Sequence, residues 1–127
     1  MLKNHDSSAI VASSDMHRAR QFYGETLGLA VLSDRTPDVV TYRTGNTRLV
    51  VYFSPVNAGT NRANAVVWGV GQDLDAIVKA LRAKDVRFLH YPDLPGLTLD
   101  GDVHFAGPNK LVWFADPDGN ILHINDF

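Results

Sequence analysis

The chain has 127 residues, 45% of them apolar, which suits one compact domain or two small halves sharing a core. Its formal charge is -2 with no Lys/Arg stripe, so a nucleic-acid partner, which needs clustered basic charge, is not expected; the lack of cysteine excludes disulfides, thiolate metal sites and a Cys nucleophile. No apolar run approaches a membrane span and the first eight residues lack the apolar stretch of a signal peptide, so a soluble cytoplasmic protein without a membrane partner is expected.

In chain order, Ala9 to Ala12 reads as a short buried strand. Ser14 and Asp15 then offer helix N-caps, and Met16, Ala19, Phe22, Tyr23 and Leu27 follow at helical spacing up to a stop at Gly28. Leu29 to Leu32 resumes as a strand. Val39 to Arg43 and Arg48 to Phe53 are two more, joined by a tight turn at Thr44-Gly45-Asn46. Asn57 to Ala63 is small, polar and loop-like. Ala65 to Val70 is the next strand, with Asp73 as an N-cap. Leu74, Ile77, Val78 and Leu81 form the apolar stripe of an amphipathic helix. Arg87 to His90 is a strand, Tyr91 to Asp102 a Pro/Gly-rich loop, and Val103 to Ala106 a short edge strand. The chain closes on a hairpin: Leu111 to Ala115, a turn at Asp116-Pro117-Asp118-Gly119-Asn120, and a strand from Ile121.

The order strand, helix, strands therefore occurs twice, with Asp15-Met16 answering to Asp73-Leu74 and Gly45-Asn46 to Gly119-Asn120. The pattern predicts an α+β fold of two βαβββ modules that pair curved mixed sheets around a cleft. Module 1 spans about residues 8–56, the linker 57–63 and module 2 about 64–127, all in one domain. Such a cleft is the usual setting for a small-molecule site.

Several residues stand out within this frame. His123 shares a strand face with Ile121 and Asn125, away from Leu122 and Ile124. Two readings stand open for it: a cleft-lining hydrogen-bonding or acid/base group, and a half-buried histidine satisfied by a neighbouring backbone group. Trp68 shares strand parity with Val66 and offers either a stacking wall or core packing. Phe22 and Tyr23 read as core and helix-anchor residues. His5, His17 and His90 read as solvent-facing, and His104 as a surface-loop histidine or a ligand contact. No Gly-rich nucleotide loop, Ser/His/Asp order or carboxylate cluster is present.

Two stretches carry a family resemblance. Asp15-Met-His-Arg-Ala-Arg-Gln-Phe-Tyr-Gly-Glu-Thr-Leu-Gly-Leu29 resembles the first-helix signature of the vicinal oxygen chelate superfamily, which holds glyoxalases, bleomycin-resistance proteins and extradiol dioxygenases. Trp113-Phe-Ala-Asp-Pro-Asp-Gly-Asn-Ile-Leu-His123 looks like its closing signature, which ends in a metal-binding glutamate. The resemblance covers nearly the whole chain and implies a divalent metal held from both sheets. By position its ligands fall on Ser8, on Val66, on Leu49 or Val51, and on His123. Only His123 is a good ligand, whereas a catalytic zinc takes three protein ligands.

These observations predict a small-molecule-binding protein of the glyoxalase/bleomycin-resistance type with no metal or other cofactor, its cleft lined by Ser8, Val66, Trp68, His104 and His123. The alternative is a glyoxalase-like lyase/isomerase or dioxygenase-type enzyme. That enzyme uses His123 as general base or a non-standard metal site recruiting His5 or His104. A purely structural or partner-binding domain is the third reading. The resemblance also implies a C₂ homodimer.

Overall fold

The computed structural model describes residues 1–127. Module 1 runs β1 (Ala9–Ser13), α1 (Met16–Arg20), β2 (Ala30–Thr36), β3 (Val39–Thr44) and β4 (Thr47–Phe53). Module 2 runs β5 (Asn64–Gly69), α2 (Leu74–Ala83), β6 (Phe88–Leu89), β7 (Thr98–Asp100), β8 (Val103–Ala106), β9 (Asn109–Ala115) and β10 (Ile121–Asn125). The fold is α+β, two curved mixed sheets with two short helices, as the repeated element order predicts. No helix is long and apolar enough to cross a membrane.

The two helices begin differently. The Asp15 carboxylate accepts the Arg18 amide at 3.1 Å, so α1 has the N-cap its sequence advertises. The helix then widens into a π-helical turn over Gln21–Thr26 and stops at Gly28, whose φ of 73° suits glycine. Asp73 is not the N-cap of α2. A 3₁₀ turn over Gly71–Asp73 precedes the helix, Asp73 already has helical dihedrals, and its side chain makes no capping bond.

The first sheet has the order β1-β4-β3-β2, with β1 parallel to β4. The second has the order β5-β10-β9-β8-β7, with β5 parallel to β10. Here β8 is not the edge strand the sequence suggests. A further strand, β7, lies inside the supposed Pro/Gly loop and pairs with β8 outside it. Strand β9 is shared along its length: β6 takes Trp113 and Phe114, and β8 takes Asn109 to Leu111. The β7–β8 hairpin thus extends the second sheet where the first one ends at β2.

One apolar core serves both modules. Val11, Val40, Tyr42, Leu49 and Val51 of the first sheet pack with Ala19 and Tyr23; Val112, Phe114, Leu122 and Ile124 of the second pack with Leu74, Val78 and Leu81. Each fully buried side chain of this kind contributes about 1.5–3 kcal/mol. Phe22 joins the halves, its ring 6.4 Å from that of Phe114. Because the helix-facing sides of both sheets meet in this core, their opposite sides form the surface on which a cleft can lie.

Candidate functional site

The Asp-Pro-Asp-Gly-Asn turn is a clasp between the modules. Asp116 Oδ1 accepts the backbone amides of Asp118 at 3.0 Å and Asn120 at 2.9 Å. Its Oδ2 accepts the Tyr23 hydroxyl at 2.6 Å and Asn120 Nδ2 at 2.7 Å. Burial, and then the Asp116 carboxylate, push the Tyr23 hydroxyl far above the ordinary phenol range, so it remains a donor. Asn120 Nδ2 also donates to the Ala12 carbonyl at 2.8 Å, and its Oδ1 accepts the Gly59 amide at 3.2 Å. The turn therefore holds β1, α1 and the β4–β5 connection together, and the 57–63 segment is fastened at Gly59.

Across this hairpin Ala115 pairs with Ile121, so counting back places Trp113 opposite His123 on the cleft side. The two rings stack with centroids 4.6 Å apart. His123 is buried, and both ring nitrogens have partners: Nδ1 donates to the Val112 carbonyl at 3.0 Å, and Nε2 accepts Asn125 Nδ2 at 3.3 Å. A carbonyl only accepts, which fixes the tautomer. Burial pulls the imidazole below its usual range, and the Val112 hydrogen bond partly offsets this.

His104 is fully buried on β8, not a surface-loop residue as one reading had it. Its Nε2 accepts the Tyr91 backbone amide at 2.9 Å, and its ring meets Trp113 edge to face at 4.9 Å. The β7–β8 hairpin supplies the extra strand that encloses it. Its Nδ1 has no hydrogen-bond partner. Burial, then the neighbouring His90, lower its affinity for a proton. Tyr91 closes this aromatic cluster against Trp113, with centroids 5.3 Å apart. His90 is exposed and bonds Asp102 at 2.7 Å; the Asp102 carboxyl is held below its usual range by His90, then by Arg82.

Val66 and Trp68 do not share a face with His123. The β5–β10 register sets Val66 beside Leu122 and Trp68 beside Ile124, both on the core side, while Val67 lies beside His123. The 3₁₀ turn explains the slip, since counting back from Asp73 treats that residue as a cap it is not. Leu49 and Val51 are likewise core residues, 0% and 1% exposed, and Val50 takes the cleft side.

Ser8, Val66 and Trp68 do come together elsewhere. They line an open groove of about 520 Å³ where the start of β1 and the Thr44–Thr47 turn lie near the end of β5, with Arg48 and Val67 also on its wall. His5 and Asp6 lie with Ser8 and Arg48 in an adjoining polar cavity of about 380 Å³. His104 and His123 line neither space. Arg48 and Val67 were not singled out from sequence, although both register positions can be counted from the flanking turns.

The model of the Glyoxalase/Bleomycin resistance protein/Dioxygenase superfamily matches residues 7–124. The chain belongs to this superfamily. Solved structures share its fold. A glyoxalase family protein from Enterococcus faecalis is 20% identical with a TM-score of 0.71, covering 98% of this chain and 99% of that one. A glyoxalase/bleomycin resistance protein from Streptomyces sp. CB03234 is 24% identical with a TM-score of 0.65, covering 94% and 99%. A lactoylglutathione lyase from Agrobacterium tumefaciens is 15% identical with a TM-score of 0.67, covering 96% and 92%. A comparison with curated proteins gave no match.

The superfamily's metal does not fit the residues present. Of the inherited positions, Ser8 is an exposed hydroxyl, Val66, Leu49 and Val51 are on the core side, and Val67 and Val50 replace them on the cleft side. His123 has both nitrogens engaged. Nowhere do three His, Asp or Glu side chains converge, so neither His5 nor His104 completes a donor set around His123.

Proposed function

We propose that this superfamily member binds a small organic molecule in the groove between the β1 and β5 edges, without the usual divalent metal. The observation that carries this reading is the groove itself. Its volume of about 520 Å³ lies within the range of small-molecule sites, and it combines a valine wall with Ser8, Thr47 and Arg48. Within this reading Ser8 is a ligand contact, and Val66 and Trp68 shape the floor from the core side. His104 and His123 brace the sheet beside the groove. A metabolite and antibiotic screen by thermal shift tests the reading, with Val67→Trp as the control that fills the groove. Ligands that raise the melting temperature of the wild type should not raise that of the variant. Equal shifts in both would refute a site at this groove.

One observation favours a second reading, the lyase/isomerase with His123 as general base. The ring is neutral, its Nε2 carries no proton, and the Asn125 contact at 3.3 Å is long enough to yield to a substrate. In that reading the substrate reaches His123 itself rather than resting in the groove, and Asn125→Ala changes its turnover; in the binding reading there is no turnover to change. We further propose that the chain works as a C₂ homodimer, because Ile10 and Val39 stand exposed on the free face of its first sheet.

A further inference from the structure

We infer that the groove's ligand carries an anionic group, a carboxylate or a phosphate, gripped by Arg43 and Arg48. This deepens the reading of the groove as a small-molecule site and rests on it.

The β3–β4 turn places the two arginines. Thr44 and Thr47 pair at its base, with their hydroxyls 2.8 Å apart, so the next pair out is Arg43 directly opposite Arg48. The following pair, Tyr42 and Leu49, is buried at 1% and 0% on the core side. Alternation then sends both arginines to the cleft side, where both are exposed. Directly opposed residues have Cβ atoms about 5 Å apart, and like charges in that relation destabilise a sheet.

Neither guanidinium has a counter-ion. The ion pairs of the chain are Arg20–Asp34, Arg82–Asp102, His90–Asp102 and Lys110–Asp75. Asp6 shares the adjoining polar cavity with Arg48 but forms no ion pair with it. Arg48 thus stands on the groove wall and Arg43 directly across from it on the neighbouring strand, two cations on a pinned turn with nothing neutralising them. The planar fork of arginine matches the paired oxygens of a carboxylate or phosphate. Ser7, Ser8 and Thr47 add hydroxyl donors on the same wall, while Val67 offers apolar surface to the rest of the ligand. A small organic anion with an apolar body satisfies both halves of this wall.

Calorimetric titration at low salt with benzoate, phenyl phosphate and benzyl alcohol tests the inference on wild type, Arg43→Gln, Arg48→Gln and Val67→Trp. At least one anion should bind about tenfold tighter than the neutral alcohol, the scale of one charge-assisted hydrogen bond. Which anion binds tighter separates carboxylate from phosphate. Each Gln substitution should weaken the anion about tenfold or more, and Val67→Trp should abolish its binding. Each Gln variant without ligand should also melt above wild type at low salt, and this gain should vanish at high salt. Benzyl alcohol binding as tightly as the anions, with loss only in Val67→Trp, overturns the inference and leaves the groove site standing. Anion binding that survives Val67→Trp places the anion outside the groove and also overturns it. If no probe binds and neither Gln variant gains stability, both the inference and the groove reading fall.

Discussion

His123 shows how a residue's neighbours decide its role. With Nδ1 on Val112, Nε2 on Asn125 and one ring face on Trp113, its imidazole is part of the sheet's packing. Replacing it with alanine opens a void and leaves a buried amide and carbonyl without partners. His123→Ala should therefore cost about 2 kcal/mol or more in denaturant unfolding while leaving groove affinity unchanged. Lost affinity at full stability would instead return His123 to the site. Burial lowers the proton affinity of both His104 and His123 in the folded chain, whereas the unfolded chain titrates them near the ordinary 6.5. Between the folded and unfolded values the unfolded state binds more protons, so stability rises with pH through that window. The contribution is complete above 6.5 and is lost as the pH falls through the lower, folded values. Urea midpoints at pH 7.5 and 5.5 should differ, and His104→Phe should shrink the difference. An unchanged difference in that variant would remove His104 from this account.

At the level of elements, the clasp around Asn120 makes a sharp prediction at a residue far away in sequence. Gly59 has a φ of 69°, and a Cβ there would sit 1.8 Å from the Asp118 carbonyl oxygen. Gly59→Ala meets rigid backbone as well as an unfavourable dihedral, and should lower stability by about 3 kcal/mol or more. Gly45→Ala is the control: it has a φ of 57° but nothing within 4 Å of its Cβ, so only dihedral strain remains. Equal losses in the two variants would argue against the clasp. The sequence made most elements legible, because Asp15 caps α1, Gly28 ends its turn, and the Asp116–Asn120 turn fixes the closing hairpin. It did not reveal β7, whose Thr98-Leu99-Asp100 is too short to show alternation and takes its order from β8. Nor did it reveal the 3₁₀ turn before α2, since an Asp before an apolar stripe looks like a cap whether or not its backbone is already helical. That one ambiguity moved Val66 to the wrong side of its sheet, and with it the reading of Trp68 as a cleft wall, while the alternative of core packing for Trp68 matches the structure. The position of Ser8 on the groove wall was legible because β1 carries no such irregularity between it and Asp15.

At the scale of the molecule, the two modules differ in how well they cover themselves. The cleft side of the second sheet holds His104, Trp113 and His123, and all three are buried, His104 and Trp113 against Tyr91 and His123 stacked on Trp113. The first sheet has no such insertion. Every residue of β2 is exposed, and Ile10 and Val39 stand on the open face at 59% and 40% exposure. Ile10 and Val39, apolar and exposed on one open sheet face, mark the surface a second copy would cover. A two-fold axis brings the same face of both chains together, so each apolar residue gained is gained twice. A stable pairing of this kind buries on the order of 1,200–2,000 Å² in total. Light scattering at micromolar concentration should accordingly give about twice the chain mass of 14.0 kDa. Val39→Glu places a charge on that face, at the end of β3 away from Arg43 and Arg48, where it reaches neither the core nor the groove. The variant should stay folded and fall to the mass of one chain, with the apolar face open to a hydrophobic dye. A wild type that scatters as a single chain would refute the pairing. A Val39→Glu variant that remains a dimer would move the interface off this face.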